Sequence, residues 1–174
     1  MSLHALVWTL KYYYCQFMLA FLGHALAQGS RSEPFIRFET AQLPENFTFS
    51  MGLIGQSGPR LYMEKRHDRL YKIRPVDKVD IHIGFKHLEH AFLVLSFQEG
   101  TAAAFAKDRM IIDGDLSTSM ALVRCFNRVE AITLPKFIAK RIIKRYPNIK
   151  LMEKLTSAIS LYLGVGKGFI TGGR

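Results

Sequence analysis

Three histidines, His82, His87 and His90, fall within nine residues and are the first candidates for chemistry, since imidazole is a common zinc ligand. On a helix starting near residue 88, His87 and His90 share a face, while His82 points outward from a strand. No cysteine lies near enough to complete a tetrad, and Glu89 faces away from the pair. Exposed polar positions at a strand–helix junction account for all three equally well. Asp113-Gly114-Asp115 offers two close carboxylates, as acid–base catalysis requires, but a turn followed by a helix cap needs the same residues. Gly164-Val165-Gly166-Lys167-Gly168 has the glycines of a phosphate loop but lacks its four-residue gap and Lys-Ser/Thr ending. It reads as a flexible tail. No Ser-His-Asp or Cys-His spacing is interpretable, so the expectation is a protein without catalytic residues, metal or cofactor.

Charge is the next signal. Residues 124–174 carry 11 Lys/Arg against Glu130 and Glu153, whereas residues 1–123 carry 13 against 12 acids. The overall charge of +10 therefore belongs to the C-terminal end and asks for an anionic partner, phospholipid or nucleic acid. On a helical wheel Ile138, Ala139, Ile142, Ile143 and Tyr146 form one arc, and Lys140, Arg141, Lys144 and Arg145 the opposite one, with Lys136 at the border. Such a basic amphipathic helix, ended by Pro147, suits a bilayer interface, and equally a solvated face on a core helix. No zinc ligands, recognition helix or stacking motif of a nucleic-acid module is present. The assigned docking residues are Lys136, Lys140, Arg141, Lys144 and Arg145, and nucleic acid is not expected as a partner.

The elements that must position these residues follow from hydrophobic period. Length and a 49% apolar composition allow one ordinary core, and two cysteines, Cys15 and Cys125, exclude a disulfide scaffold and read as buried thiols. Leu3 to Ala27 holds one charge, Lys11. Three readings stay open: a signal peptide cleaved after Ala27, a spanning helix that falls short of the roughly 20 residues a bilayer needs, and an apolar helix seated at a membrane or packed on the domain. Gln28 to Glu45, with Pro34 and Pro44, reads as an irregular connector. The sequon Asn46-Phe47-Thr48 matters only if the chain is secreted in a glycosylating cell.

Phe47 to Leu53 and Val79 to Phe85 alternate with a period of two, and Leu61 to Lys65 and Arg69 to Arg74 read as two short strands joined at Arg66-His67-Asp68. Four successive strands are predicted, an antiparallel meander with one apolar face. Leu88 to Leu95 and Thr101 to Ala106 change to helical spacing. Arg109 to Asp113 returns to strand, and Asp115 caps a helix from Leu116 toward Pro135. A further apolar helix spans about Leu151 to Leu163.

Residues 104–122 carry a resemblance. Ala104-Phe105-Ala106-Lys107-Asp108-Arg109-Met110-Ile111-Ile112-Asp113-Gly114-Asp115, then Met120-Ala121-Leu122, is similar to the signature of sterol carrier protein domains. There an aromatic precedes a Gly-Lys pair, a short strand, a Gly-Asp or Gly-Asn turn, and a helix opening with a small-Met-x-Leu run. Asp108-Arg109 stands in place of Gly-Lys, so the turn must be built differently, and Gly172-Gly173-Arg174 is no peroxisomal tripeptide. The resemblance, over about Phe47 to Val129, implies an α+β fold: a five-stranded, mostly antiparallel sheet covered on one face by helices, with an apolar tunnel between the layers. It further implies non-catalytic binding or transfer of a fatty acyl, sterol or isoprenoid lipid.

The expected organisation is then an apolar N-terminal helix (1–27), a connector (28–45), a lipid-binding domain (46–134) and a basic extension (135–174). Phe92, Leu95, Phe105, Met110, Ile112, Met120 and Leu122 are assigned to the lipid wall, though the same residues would fill the core of any α+β domain. The alternative role is an accessory protein presenting hydrophobic intermediates, such as quinone precursors, to biosynthetic enzymes. The expected location is cytoplasmic and membrane-associated, or exported if residues 1–27 are a signal peptide.

Overall fold

The computed structural model describes residues 3–55, 58–143, 149 and 151–170. Its elements run α1 (Leu3–Ser32), α2 (Pro34–Ala41), β1 (Thr48–Leu53), β2 (Arg60–Arg66), β3 (Arg69–Lys72), β4 (Ile81–Phe85), α3 (Leu88–Leu95), α4 (Thr101–Ala106), β5 (Met110–Asp113), α5 (Leu116–Thr133), α6 (Lys136–Ile142) and α7 (Leu151–Ile170). The fold is α+β, with five strands in the order β3-β2-β1-β4-β5.

The sheet is mixed. β1–β2, β2–β3 and β4–β5 pair antiparallel, but β4 lies parallel to β1, with Met51 opposite Ile83. The four strands expected as one meander are therefore a three-stranded meander plus a strand that returns to its far edge. The period-two pattern sorts the side chains. Phe49, Met51, Leu61, Met63, Leu70, Ile81, Ile83 and Phe85 are buried beneath the helices. Ser50, Tyr62, His82 and Asp113 are cross-strand neighbours on the other face.

Residues 28–45, expected as an irregular connector, are largely helical. α1 continues to Ser32, and Pro34 stands at the first position of α2, where its missing N–H costs nothing. Glu33 caps that helix by accepting from the Ile36 N–H at 2.8 Å. Lys65 closes its other end, donating to the Leu43 carbonyl at 2.7 Å. The turn before β5 is built on Asp108 at φ 58, the left-handed conformation that Asp tolerates, so the departure from glycine is accommodated without a change of path. Asp115 accepts from the Thr118 N–H at 2.7 Å and is a helix cap. Gly114, at φ +135, would put a Cβ 2.6 Å from the Asp80 carbonyl oxygen, so only glycine fits between them.

The glycine-rich run is not a tail. α7 extends through Ile170, and Gly164 and Gly168, four residues apart, face α1. A Cβ on them would stand 2.2 Å from Gln28 Cγ and from His24 Nδ1 respectively. Small residues at this spacing let two helices approach closely. The basic helix is also shorter than expected: α6 stops at Ile142, and Ile143 is extended.

Three ion pairs, made by two arginines, lock the helical layer. Arg128 donates to Glu33 Oε1 from Nε (2.9 Å) and Nη2 (2.7 Å), and Nη2 also reaches Glu153 Oε1 of α7 at 2.7 Å. Arg124 forks onto both Glu39 oxygens at 2.8 and 2.7 Å. Glu33 is only 1% exposed, so loss of its partner would strand a buried charge. Arg128→Met should therefore destabilise the fold by about 3–5 kcal/mol in urea unfolding, and adding Glu33→Gln should recover part of it. A loss under about 1 kcal/mol would show that the pair is not a clamp.

Candidate functional site

α1 is part of the domain. Cys15, Leu19, Ala25 and Leu26 are buried, Gly23 abuts Leu61 of β2, and Ser30 Oγ accepts from the Leu70 N–H of β3 at 3.0 Å. Toward its N-terminal end, Lys11 pairs with Glu89 and Tyr14 donates to the Leu95 carbonyl at 3.3 Å. Among the described residues no helix is long and apolar enough to cross a membrane.

Beneath this helix lies an apolar cavity of about 40 Å³. Met18, Phe21 and Leu22 of α1 roof it, Met51 of β1 forms its floor, and Val94, Leu95, Phe97 and Thr101 close the α3–α4 side. Phe126, Val129, Glu130 and Thr133 of α5 complete the wall. It has room for a few waters at most, against roughly 300–1,000 Å³ for a typical ligand site. A lipid can enter only if the wall opens. Met18 and Met51 are the unbranched, adaptable side chains in it. Phe97 holds the left-handed φ of 60, unusual for a bulky residue, and costs about 1–3 kcal/mol in place.

One member of the wall is chemically out of place. Glu130 is the single ionisable lining residue. No hydrogen bond or ion pair reaches its carboxyl among the described residues, and burial alone raises its pKa to about 7. Sequence reasoning missed it by treating it only as a charge. The signal was present, since Phe126, Glu130 and Thr133 follow i, i+4, i+7 spacing on one face of α5.

Five of the seven expected wall residues share one apolar cluster, but only one of them, Leu95, lines the cavity. Met110 and Leu122 are buried in the core, Ile112 packs against it, and Phe92 meets Tyr14 edge-on at 5.3 Å. Phe105 and Met120 are 50% and 45% exposed. The α1 contribution is not legible in the sequence, because which of the three readings of residues 1–27 holds depends on tertiary packing.

Of the docking residues, Lys136 and Lys140 are exposed, while Lys144, Arg145 and the Arg141 side chain lie outside the described residues. Ile142 and Ile143 are buried, in a cluster with Ala131 and Ala139 against which Phe97 packs.

The chemical candidates resolve differently. Ser50 Oγ and His82 Nδ1 are 2.8 Å apart, with Asp113 opposite His82 in the sheet. Ser50 is only 2% exposed, which leaves its hydroxyl little access to a substrate. Burial, then the charge of Arg60, lowers the His82 pKa, opposed by Asp113. His87 and His90 are neighbours at 5.2 Å between ring centres, and among the described residues no group of three potential ligands could hold a metal. Burial pushes the Cys15 and Cys125 thiols up to about 11 and about 12, which leaves both unreactive. A wider open groove of about 590 Å³ runs between α1 and the β2–β3 edge, where Lys72 and His24 are 3.2 Å apart. Burial lowers the pKa of both.

Glu130 makes stability depend on pH. Its folded pKa, about 7, lies above the ordinary 4.5, so the folded state holds the proton more tightly. The stability linked to that proton is present at low pH and falls as pH rises through the window from about 4.5 to 7, by up to about 3 kcal/mol. Glu130→Gln should therefore raise the urea midpoint more at about pH 8 than at about pH 5. An equal effect at both would show that the carboxyl is solvated.

No family profile and no curated protein matches this chain. Among solved structures, the chain is similar to the ubiquinone synthesis protein UbiJ-SCP2, with a TM-score of 0.44 and 13% identity, over 75% of this chain and 96% of that one.

Proposed function

We propose that the protein is a non-catalytic carrier of an apolar lipid, which it holds beneath α1 between the sheet and the helices. The observation that carries this reading is the cavity, in which eleven of the twelve lining residues are uncharged and a single carboxyl faces them. A buried apolar space with one or two polar groups is the usual design of a site that grips a tail and orients a head. The methionines and the strained Phe97 are where the wall would give way to admit it. Bulk inside this wall should exclude the ligand. Val129→Phe should lower the lipid recovered by organic extraction of gently purified protein at least fivefold while the fold persists by circular dichroism. Met120→Trp, at an exposed position, should leave it unchanged. Equal occupancy in wild type and Val129→Phe would place the lipid elsewhere.

The carrier works at an anionic membrane surface in this reading. Trp8, Tyr13 and Phe17 of α1 and Leu163, Phe169 and Ile170 of α7 are exposed, and Phe17 stacks on Phe169 at 5.7 Å, so the two helices present one apolar surface. Phe21 and Tyr162 bring that surface to the cavity roof, their rings 6.2 Å apart. Lys136, Lys140, Arg141, Lys144 and Arg145 supply the attraction, about 1 kcal/mol each near an anionic leaflet and so about 5 kcal/mol before screening. Full-length protein should co-sediment with anionic liposomes, release with salt, and lose most binding when the five become Gln. Binding that survives those substitutions, or that duplex DNA competes better than liposomes, would contradict the docking role. The alternative role, presentation of hydrophobic intermediates to biosynthetic enzymes, uses the same exposed surface for a protein partner, and co-purification of enzymes in place of liposome binding would favour it.

A further inference from the structure

We infer that the cavity selects lipids with an uncharged, hydrogen-bonding head group, an alcohol, phenol or ketone, over fatty-acid carboxylates, and that Glu130 imposes the choice. This rests on the carrier reading and adds the ligand's chemistry to it. Three observations converge. Glu130 lines an otherwise uncharged wall, with Met18, Phe21 and Leu22 across from it on α1. Its carboxyl, half-buried against the apolar wall, has no partner among the described residues, and a polar group facing apolar surface without a hydrogen bond is costly enough that a ligand supplying one gains affinity. The nearby hydroxyl of Thr133 donates to the Val129 carbonyl at 2.8 Å, so its proton is not available to a head group.

The surroundings set the sign of the preference. Glu130 stands in the last turn of α5, which ends at Thr133, so the negative end of the helix dipole adds to any charge on the carboxyl. A carboxylate head group would meet that field, or would have to share a proton with Glu130 as paired carboxyls do. An alcohol or phenol donates to the ionised carboxylate, and the protonated form donates to a ketone, so a neutral head group is satisfied in either state. An ammonium head group would complement the charge but would carry its own desolvation into an apolar space.

The test compares three probes with one tail. Oleyl alcohol, oleate and oleylamine compete at about pH 8 for full-length protein loaded with a pyrene-labelled alkyl alcohol. The alcohol should bind at least about tenfold more tightly than oleate, the scale of one hydrogen bond set against one uncompensated charge, and also more tightly than oleylamine, which must desolvate its own charge. Glu130→Gln keeps the shape and the hydrogen bonding but removes the charge, and should bring alcohol and oleate to within about threefold by strengthening oleate. Glu130→Leu should weaken the alcohol several-fold. Wild-type protein that binds oleate or oleylamine as tightly as the alcohol overturns the inference, as does a preference unchanged in Glu130→Gln. Binding of none of the probes, the pyrene alcohol included, overturns the carrier reading itself.

Discussion

The packing of α1 across the apolar face of the sheet is the constraint on which the rest depends. A sheet with Phe49, Met51, Leu61, Met63 and Ile83 on one face must be covered, and α1 packs on its β2–β3 side. The helix is fixed by close contact along its length: Gly23 on Leu61, Ser30 on the β3 backbone, and Gly29 beside Ile36 of α2. α7 then lies along α1 through Gly164 and Gly168. Arg128 ties α2, α5 and α7 together through Glu33 and Glu153. The cavity is the space left where α1 crosses the sheet beside α3 and α5.

Stability and function draw on different parts of α5. Arg124 and Arg128 spend their charge on buried partners, and Phe126 fills the core against Phe49. Glu130, two residues past Arg128, has no such partner. A helix that satisfies its neighbours this fully leaves one half-buried carboxyl facing apolar surface, a local cost that packing does not require.

Much of the fold is legible in the sequence because period and punctuation are local. Alternation from Phe49 to Leu53 and from Ile81 to Phe85, the helical spacing from Leu88 to Leu95, and Asp115 as a cap all locate their elements closely. What is not local is not legible. The parallel pairing of β4 with β1 depends on a crossover, and no residue in either strand announces it. Pro34 and the 164–168 glycines were read for what those residues usually break, yet here one starts a helix and the others let two helices touch. The site was the least legible part. Its roof comes from α1, more than a hundred residues away from Val129, and the family-like stretch at 104–122 drew attention to Phe105 and Met120, which the fold turns outward.

The methionines distinguish the two walls in one measurement. Met18 and Met51 line the cavity, Met63 and Met110 are buried outside it, and Met120 and Met152 are exposed. In protein carrying ¹³C-methyl methionine, titration with oleyl alcohol should move the Met18 and Met51 resonances, saturating near one equivalent, while Met120 and Met152 stay in place. Shifts confined to Met120 or Met152, or no shift at Met18 and Met51 as the ligand binds, would contradict a lipid site beneath α1.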